Sequence, residues 1–280
     1  MSPIHDQGYR RYGGDRTPVG HAWWVIALAG IRTLLSKRAF IALLLLAWLP
    51  FVVRAVQIYA ATSLPQAAFL APDARMFRQF LEQQEVFLFF ITVYAGAGLI
   101  AADRRANALQ IYLSKPLTRL EYIAGKLTIL ITFLLLVTWV PAVFLLIIQI
   151  MFSGSLTFFV DNVFLFPAIT VFSFVQVIAV STAMLALSSL SKSSRYVGVL
   201  YAGLIFFSQA LYGIVYGITR DSRMAWMSVA ADLNQIGDAI FRLQLRFQMS
   251  LAVACFVVVG LIVLSGLVLE KRVRGIEVVT

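Results

Sequence analysis

Asp103-Arg104-Arg105-Ala106-Asn107-Ala108-Leu109-Gln110-Ile111-Tyr112-Leu113-Ser114-Lys115-Pro116-Leu117-Thr118-Arg119-Leu120-Glu121-Tyr122-Ile123-Ala124-Gly125-Lys126 joins two long apolar runs. Five of its side chains are basic: Arg104, Arg105, Lys115, Arg119 and Lys126. Leu109, Ile111, Leu113, Leu117, Leu120 and Tyr122 give it more apolar surface than a solvated loop has reason to carry. Pro116 has no N–H and restricts the residue before it, so a helix arriving from Ala106 should stop near Leu113. Thr118 and Glu121 have the spacing of a capping box, which starts a new helix. The stretch predicts helix, elbow, helix. Its apolar side chains either fold back onto the protein's own helices or form a docking surface for another subunit, centred on Leu113, Lys115, Pro116, Leu117, Thr118, Arg119, Leu120 and Tyr122.

The rest of the chain decides the class. Of its 280 residues, 61% are hydrophobic and 13% charged, and the mean hydropathy is +0.88. A water-soluble domain of this length has no interior for so much apolar surface. The apolar residues fall into runs long enough to cross roughly 30 Å of hydrocarbon. Six spans are expected, about Ala39 to Ala60, Val86 to Ala102, Leu127 to Phe152, Phe164 to Ser189, Tyr196 to Ile218 and Met249 to Leu269. The fold class is therefore an all-α polytopic membrane protein.

Within the first span Arg54 costs about 2.5–3.5 kcal/mol on the insertion scale, and a dozen or so apolar residues at about 0.3–0.6 each outweigh it. Its position near the far end lets it snorkel. Gly96 and Gly98 in span two allow close helix approach, as do Ala179, Thr182, Ala183 and Ala186 in span four. Pro141 should kink span three, with Thr138 placed to help satisfy the freed backbone groups. Spans one and two are joined by a polar loop over residues 61–84.

Flanking elements complete the expected organisation. Residues 1–19 are a polar tail that does not look like a signal peptide. Residues 20–38, with Trp24, Leu28, Ile31 and Leu35 at helical spacing, suit an amphipathic helix in the membrane interface or an extension of the first span. The spans, with their loops, occupy residues 39–270, and residues 271–280 form a basic tail. Between spans five and six, residues 219–247 hold an amphipathic segment. Trp226, Val229, Leu233, Ile236, Ile240, Leu243 and Phe247 form one apolar stripe, with Asp232, Asn234, Asp238, Arg242 and Arg246 off it. Gly237 is a candidate break between two helices, and the segment should lie on the outer surface. Six spans put both termini on one side, where sixteen Lys and Arg fall against six in the opposite loops. That asymmetry places the termini and the elbow in the cytoplasm.

Several chemistries lack their residues. There is no Gly-xxxx-Gly-Lys-Ser/Thr loop, since Gly125-Lys126-Leu127 lacks the first glycine and the hydroxyl, so the chain should not hydrolyse ATP itself. His5 and His21 are too few for a metal site, and Cys255 stands alone. No carboxylate sits clearly in mid-membrane, which argues against a proton-coupled carrier. Gln57, Gln149, Gln176, Tyr201, Ser208, Gln209 and Tyr212 are candidates to line a pathway, or else bond helices together and anchor at the interface.

Leu113-Ser114-Lys115-Pro116-Leu117-Thr118-Arg119, followed by Tyr122 and Gly125-Lys126-Leu127, resembles the elbow of type-two ABC exporter permeases. The ending Leu269-Glu270-Lys271-Arg272-Val273-Arg274 is similar to that family's last-span exit. Asp103, Arg105 and Asn107-Ala108 depart from the acidic pair and Gly-Thr common there. The resemblance implies a bacterial inner-membrane permease without enzymatic activity of its own. Its elbow would dock on a separate cassette ATPase that binds ATP and Mg, and a second permease subunit, identical or related, would complete the path. Membrane lipid is the remaining partner, and nucleic acid is not one. The alternatives are an ATP-independent carrier or scaffold, and an ABC-type sensory or assembly complex without bulk transport.

Overall fold

The computed structural model describes residues 22–64, 72–108, 118–153 and 162–273. Among these residues the secondary structure is helical throughout, and six helical stretches are long and apolar enough to cross a membrane. The chain is an all-α polytopic membrane protein. One end of the bundle, the elbow end, carries the 36–37 turn, Arg105, Thr118 and the 191–193 turn. The far end carries the other connections.

Helix α1 (Ala22–Leu35) turns at Ser36 and Lys37 into α2 (Arg38–Ala47). It lies across α6 (Arg119–Val137) at two glycines. A Cβ on Gly125 would stand 2.8 Å from the Trp23 carbonyl oxygen, and one on Gly30 would stand 2.1 Å from Ile129 Cδ1. The lead-in helix is therefore seated on span three, with Ala27 and Leu34 buried.

Span one is bent as well as apolar. Trp48 separates α2 from α3 (Leu49–Ser63), and Pro50, in the first turn of α3, has no N–H to give the preceding turn. Gln84, from the next span, donates Nε2 to the Ala47 carbonyl at 3.0 Å and satisfies a group at the bend. In span three the break comes where the sequence placed it: α6 ends at Val137, and α7 (Trp139–Phe152) contains Pro141. Thr138 is fully buried and donates its hydroxyl to the Leu134 carbonyl at 2.7 Å. The hydroxyl serves the turn before the break rather than Val137 itself.

Span two differs most from expectation. Its helix, α4 (Ala74–Ile91), starts inside the stretch expected to be polar loop. Asp73 caps it by accepting from the Met76 N–H at 2.8 Å, and Met76, Phe77, Phe80 and Leu81 form a buried stripe. Polar residues elsewhere in 61–84 hide that stripe in a simple hydropathy reading. The span then passes through a π-helical turn, Thr92–Gly96, to the short α5 (Ala101–Arg105). At the irregularity Ser188 accepts from the Ile100 and Ala101 N–H groups at 3.1 and 3.0 Å and donates to the Ala97 carbonyl at 3.0 Å. Gly96 meets Met184 where a Cβ would come within 2.5 Å, whereas Gly98 faces ordinary space.

The Ser188 hydroxyl comes from α8 (Leu165–Leu190), the central helix, which touches α4, α5, α6, α7, α9 (Ser194–Thr219), α10 (Val229–Ile240) and α11 (Leu251–Arg272). Its Ala179, Thr182, Ala183 and Ala186 are buried, as the small-residue spacing predicted. Span six is α11.

The 226–247 segment is a single shorter helix. A 3-10 turn, Ser222–Met227, precedes α10, and the helix closes at Phe241 and Arg242, the latter left-handed with φ 57°. Residues 243–247 do not continue it. Gly237 does not divide it either, since α10 runs through it unbroken; a glycine stands there because a Cβ would lie 2.5 Å from Arg78 Nε and 2.8 Å from the Phe172 ring. Asp232, Gln235 and Asp238 are buried along with the apolar stripe. The helix is thus enclosed on its polar face too, and α4 supplies the reason.

Candidate translocation path and docking elbow

One face of α4 carries Arg78, Glu82, Glu85 and Phe89, spaced by four, three and four residues. Residues so spaced share a helix face. At the far end, Arg78 is fully buried. Its Nε lies 3.2 Å from Asp238 Oδ1, its guanidinium bonds Asn234 Oδ1, and its carbon stands 4.7 Å over the Phe172 ring. Arg246 clasps Glu82 through two bonds of 2.6 and 2.7 Å and reaches Asp238 Oδ2 with Nε at 2.7 Å. The hydrogen bonds it donates to Glu82 hold the Arg246 guanidinium protonated well beyond its ordinary range. Gln235 holds the returning strap, donating to the Phe247 and Met249 carbonyls at 3.0 Å and accepting from the Phe247 N–H at 3.3 Å. Charges buried at this depth persist only when paired and hydrogen-bonded. The pairing explains why an amphipathic helix is drawn in between the spans.

Arg78, Glu82, Asp238 and Arg246 wall a polar vestibule of about 490 Å³ at the far end, whose lining also includes Arg75, Gln79 and Leu245. Further along the same stripe is a smaller apolar cavity of about 70 Å³, lined by Glu85, Phe89, Gln176, Tyr201, Leu233 and Leu261 among others. Leu233 and Asp238, both on α10, face the cavity and the vestibule respectively. Phe89 and Tyr201 stack across the cavity wall with centroids 5.6 Å apart. Glu85 Oε1 and Gln176 Oε1 are buried without a hydrogen-bond partner. Asp232, on α10, also has both carboxylate oxygens buried and unpartnered, and burial pushes its carboxyl up from 3.8 to about 8.

The expected pathway residues divide. Gln176 and Tyr201 meet at the cavity. Gln209 accepts from the Ser228 hydroxyl, and Tyr212 packs edge-on against Phe247 at 5.9 Å, so both help seat the α10 segment. Ser208 returns its hydroxyl to the Ile205 carbonyl at 3.0 Å. Gln57 accepts from Arg54 Nη1 at 2.8 Å on α3, and Gln149 is buried on α7. Sequence reasoning missed Arg78, Glu82, Glu85, Asp232 and Asp238. The available signal was an i, i+4, i+7 row of charges in one amphipathic stretch, with opposite charges in another.

At the elbow end, Leu113, Lys115, Pro116 and Leu117 lie outside the described residues. Thr118 forms the expected capping box: it accepts from the Glu121 N–H at 3.2 Å, and Glu121 Oε2 accepts from the Thr118 N–H at 2.9 Å. Arg119 is exposed, and Leu120 is 76% exposed. Tyr122 departs from its expected place on a docking surface. It is fully buried, donates its hydroxyl to Asp103 Oδ2 at 2.7 Å, and has Lys126 5.5 Å over its ring. Lys126 Nζ also pairs with Asp103 Oδ2 at 2.7 Å. Tyr122 locks span two to span three.

Six membrane-spanning helices, a lead-in helix seated on the third and a helix folded in before the last make up the described domain. The model of the ABC-2 family transporter protein matches residues 24–236, and the chain belongs to that family. It is a permease subunit of an ABC transporter, the membrane component rather than the ATPase, of a kind that generally works with an ATPase subunit. No curated protein matches the chain.

Proposed function

We propose that the chain is the membrane-spanning subunit of an ATP-driven exporter, docked through its elbow on a separate cassette ATPase. Two such subunits, identical or related, would enclose the path, and the ATPases below would bind ATP and Mg. Both termini and the elbow would face the cytoplasm of a bacterial inner membrane, in keeping with the basic asymmetry of the loops. Closure of the ATPases would push the elbows. The rigid coupling at hand is Tyr122–Asp103–Lys126, which ties the end of span two to the start of span three. A push at Thr118 would then move both spans together. Span two carries the Arg78–Glu82–Glu85 face, and α10 is latched to that face, so the same motion would reach vestibule and cavity. The exposed Leu120 and Arg119 at a capped helix start, in a member of this family, carry the reading.

The test is co-purification of a co-expressed cassette ATPase. A lost apolar anchor commonly costs 2 kcal/mol or more, so Leu117→Asp and Leu120→Asp should each reduce recovery of the ATPase by over about tenfold. Arg119→Ala should act more mildly, and more at low salt, because an exposed ion pair is screened. Full recovery and substrate-coupled ATPase activity in Leu117→Asp and Leu120→Asp would overturn docking through the elbow.

A further inference from the structure

We propose that the groove between α1 and the elbow end of span two holds the phosphodiester head of an anionic phospholipid. Residues of α1 and its following turn, from Val25 to Lys37, form one wall. Residues of span two, from Tyr94 to Asp103, face them, and Lys126 and Ile129 of α6 complete the lining. The volume is about 570 Å³, within the span of roughly 300–1,000 Å³ that clefts for small ligands occupy. The lining is accessible: Val25, Ala29, Thr33, Lys37 and Tyr94 are all exposed. A head group can therefore enter while its acyl chains stay in the bilayer.

Charge selects the ligand. The groove is lined by two ammonium groups, Lys37 and Lys126, and one carboxylate, Asp103. Asp103 is already engaged, its Oδ2 accepting from Lys126 Nζ and from the Tyr122 hydroxyl, each at 2.7 Å. Among the described residues no carboxylate pairs with Lys37, whose ammonium stands 5.8 Å over the Tyr94 ring instead. One accessible positive charge is left over. Arg32 and Arg38, both exposed, flank Lys37 in the chain and strengthen the positive field. Depth is a separate observation. Trp23 and Trp24 open α1 edge to face, with centroids 5.7 Å apart, and Trp24 is 52% exposed. Tryptophans in such a place sit at headgroup level, where a basic pocket between membrane helices suits an acidic lipid head. Val25, Ile26, Leu99 and Ile129 make the rest of the groove apolar. A free phosphate would leave these walls wet, whereas glycerol and the first chain methylenes cover them. A zwitterionic head would bring its own cation beside Lys37 and cancel much of the attraction.

The inference goes beyond the exporter reading and needs neither an ATPase nor a compartment for the elbow end. Binding is measured on the whole permease in phosphatidylcholine nanodiscs. The probe is phosphatidylglycerol with a diazirine near the head of one acyl chain. It should label saturably, on peptides holding Val25, Ile26 or Leu99, with competition by unlabelled phosphatidylglycerol and none by glycerol phosphate. Phosphatidylcholine with the same diazirine should label only in proportion to partition. Lys37→Gln should weaken binding about fivefold, the effect of one basic residue beside an anionic lipid head, and Lys37→Glu should weaken it further. Ala29→Phe narrows the groove without altering charge and should weaken it too. Arg195→Gln removes an exposed cation at the same end but outside the groove, and should change nothing. A photoreactive residue at position 25 should capture phospholipid. Equal labelling by the two lipids, competition by glycerol phosphate, or equal losses in Lys37→Glu and Arg195→Gln overturns the site. So does binding unchanged in both Lys37→Glu and Ala29→Phe, or capture at position 25 of only a second copy of this chain.

Discussion

Replacing Arg78 tests whether a charge network holds α10 between the spans. Arg78→Leu keeps an apolar body against Phe172 but removes one of the two cations on Asp238, whose side chain is 2% exposed. Breaking a buried pair by removing one partner typically costs about 3–5 kcal/mol, chiefly through the charge left behind. Arg246 still meets Asp238 at 2.7 Å, so the low end, about 3 kcal/mol, is expected. Asp238→Asn keeps the shape and removes the stranded charge. The double variant should therefore be much less than additive, with an interaction energy of roughly 1–3 kcal/mol. The assay is equilibrium unfolding in mixed micelles for the four proteins of the cycle. A loss under about 0.5 kcal/mol for Arg78→Leu, the size of an ordinary surface change, together with strict additivity, would refute the buried network.

Three further outcomes follow from single contacts. Asp232 titrates near 8 in the folded chain against about 3.8 for its ordinary value, so the folded state binds more protons across that window. Stability should fall as pH rises from about 4 to 8, and Asp232→Asn should flatten the slope and raise stability at pH 8; parallel slopes in unfolding measurements would contradict this. Ser188→Ala strands the Ile100 and Ala101 N–H groups and should cost about 1–3 kcal/mol, measured against Ser208→Ala, which loses only a bond within its own helix. Gly125→Ala drives a methyl into the Trp23 carbonyl and should cost about 1–3 kcal/mol, whereas Gly203→Ala meets nothing and should be neutral or stabilising. Equal effects at the two glycines would show that α1 is not seated on α6.

Legibility followed the physical range of each signal. Span number, the Thr138–Pro141 break, the Thr118 cap and the close approach at Gly96 depend on a few neighbouring residues, and all could be read directly. The elbow motif pointed to the family because its residues are contiguous. The burial of Arg78 and Asp238 could not be read that way. Arg78 looked like a loop charge and Asp238 like the polar face of a surface helix, and only the meeting of positions 160 residues apart neutralises them, with Gly237 leaving the space. Gly125 was visible as part of a motif, but its cause is the backbone of Trp23 crossing above it. Tyr122 was misplaced for a related reason. A tyrosine two residues after an exposed leucine turns inward on a helix, and its hydroxyl needed a partner that Asp103 supplies. The α4–α10 charge row would have emerged from testing loop segments for complementary stripes rather than for mean hydropathy.

The docking of an ATPase on the elbow is tested most directly by a photo-crosslinking residue placed at position 120 in cells. Leu120 is 76% exposed at the start of α6, whereas Thr132, also exposed, lies mid-span. A reactive side chain at 120 should capture a polypeptide whose sequence contains a Gly-xxxx-Gly-Lys-Ser/Thr loop, and the same chemistry at 132 should capture lipid or a second copy of this chain. Capture at 120 of lipid alone, or of this chain's own helices alone, would contradict the account.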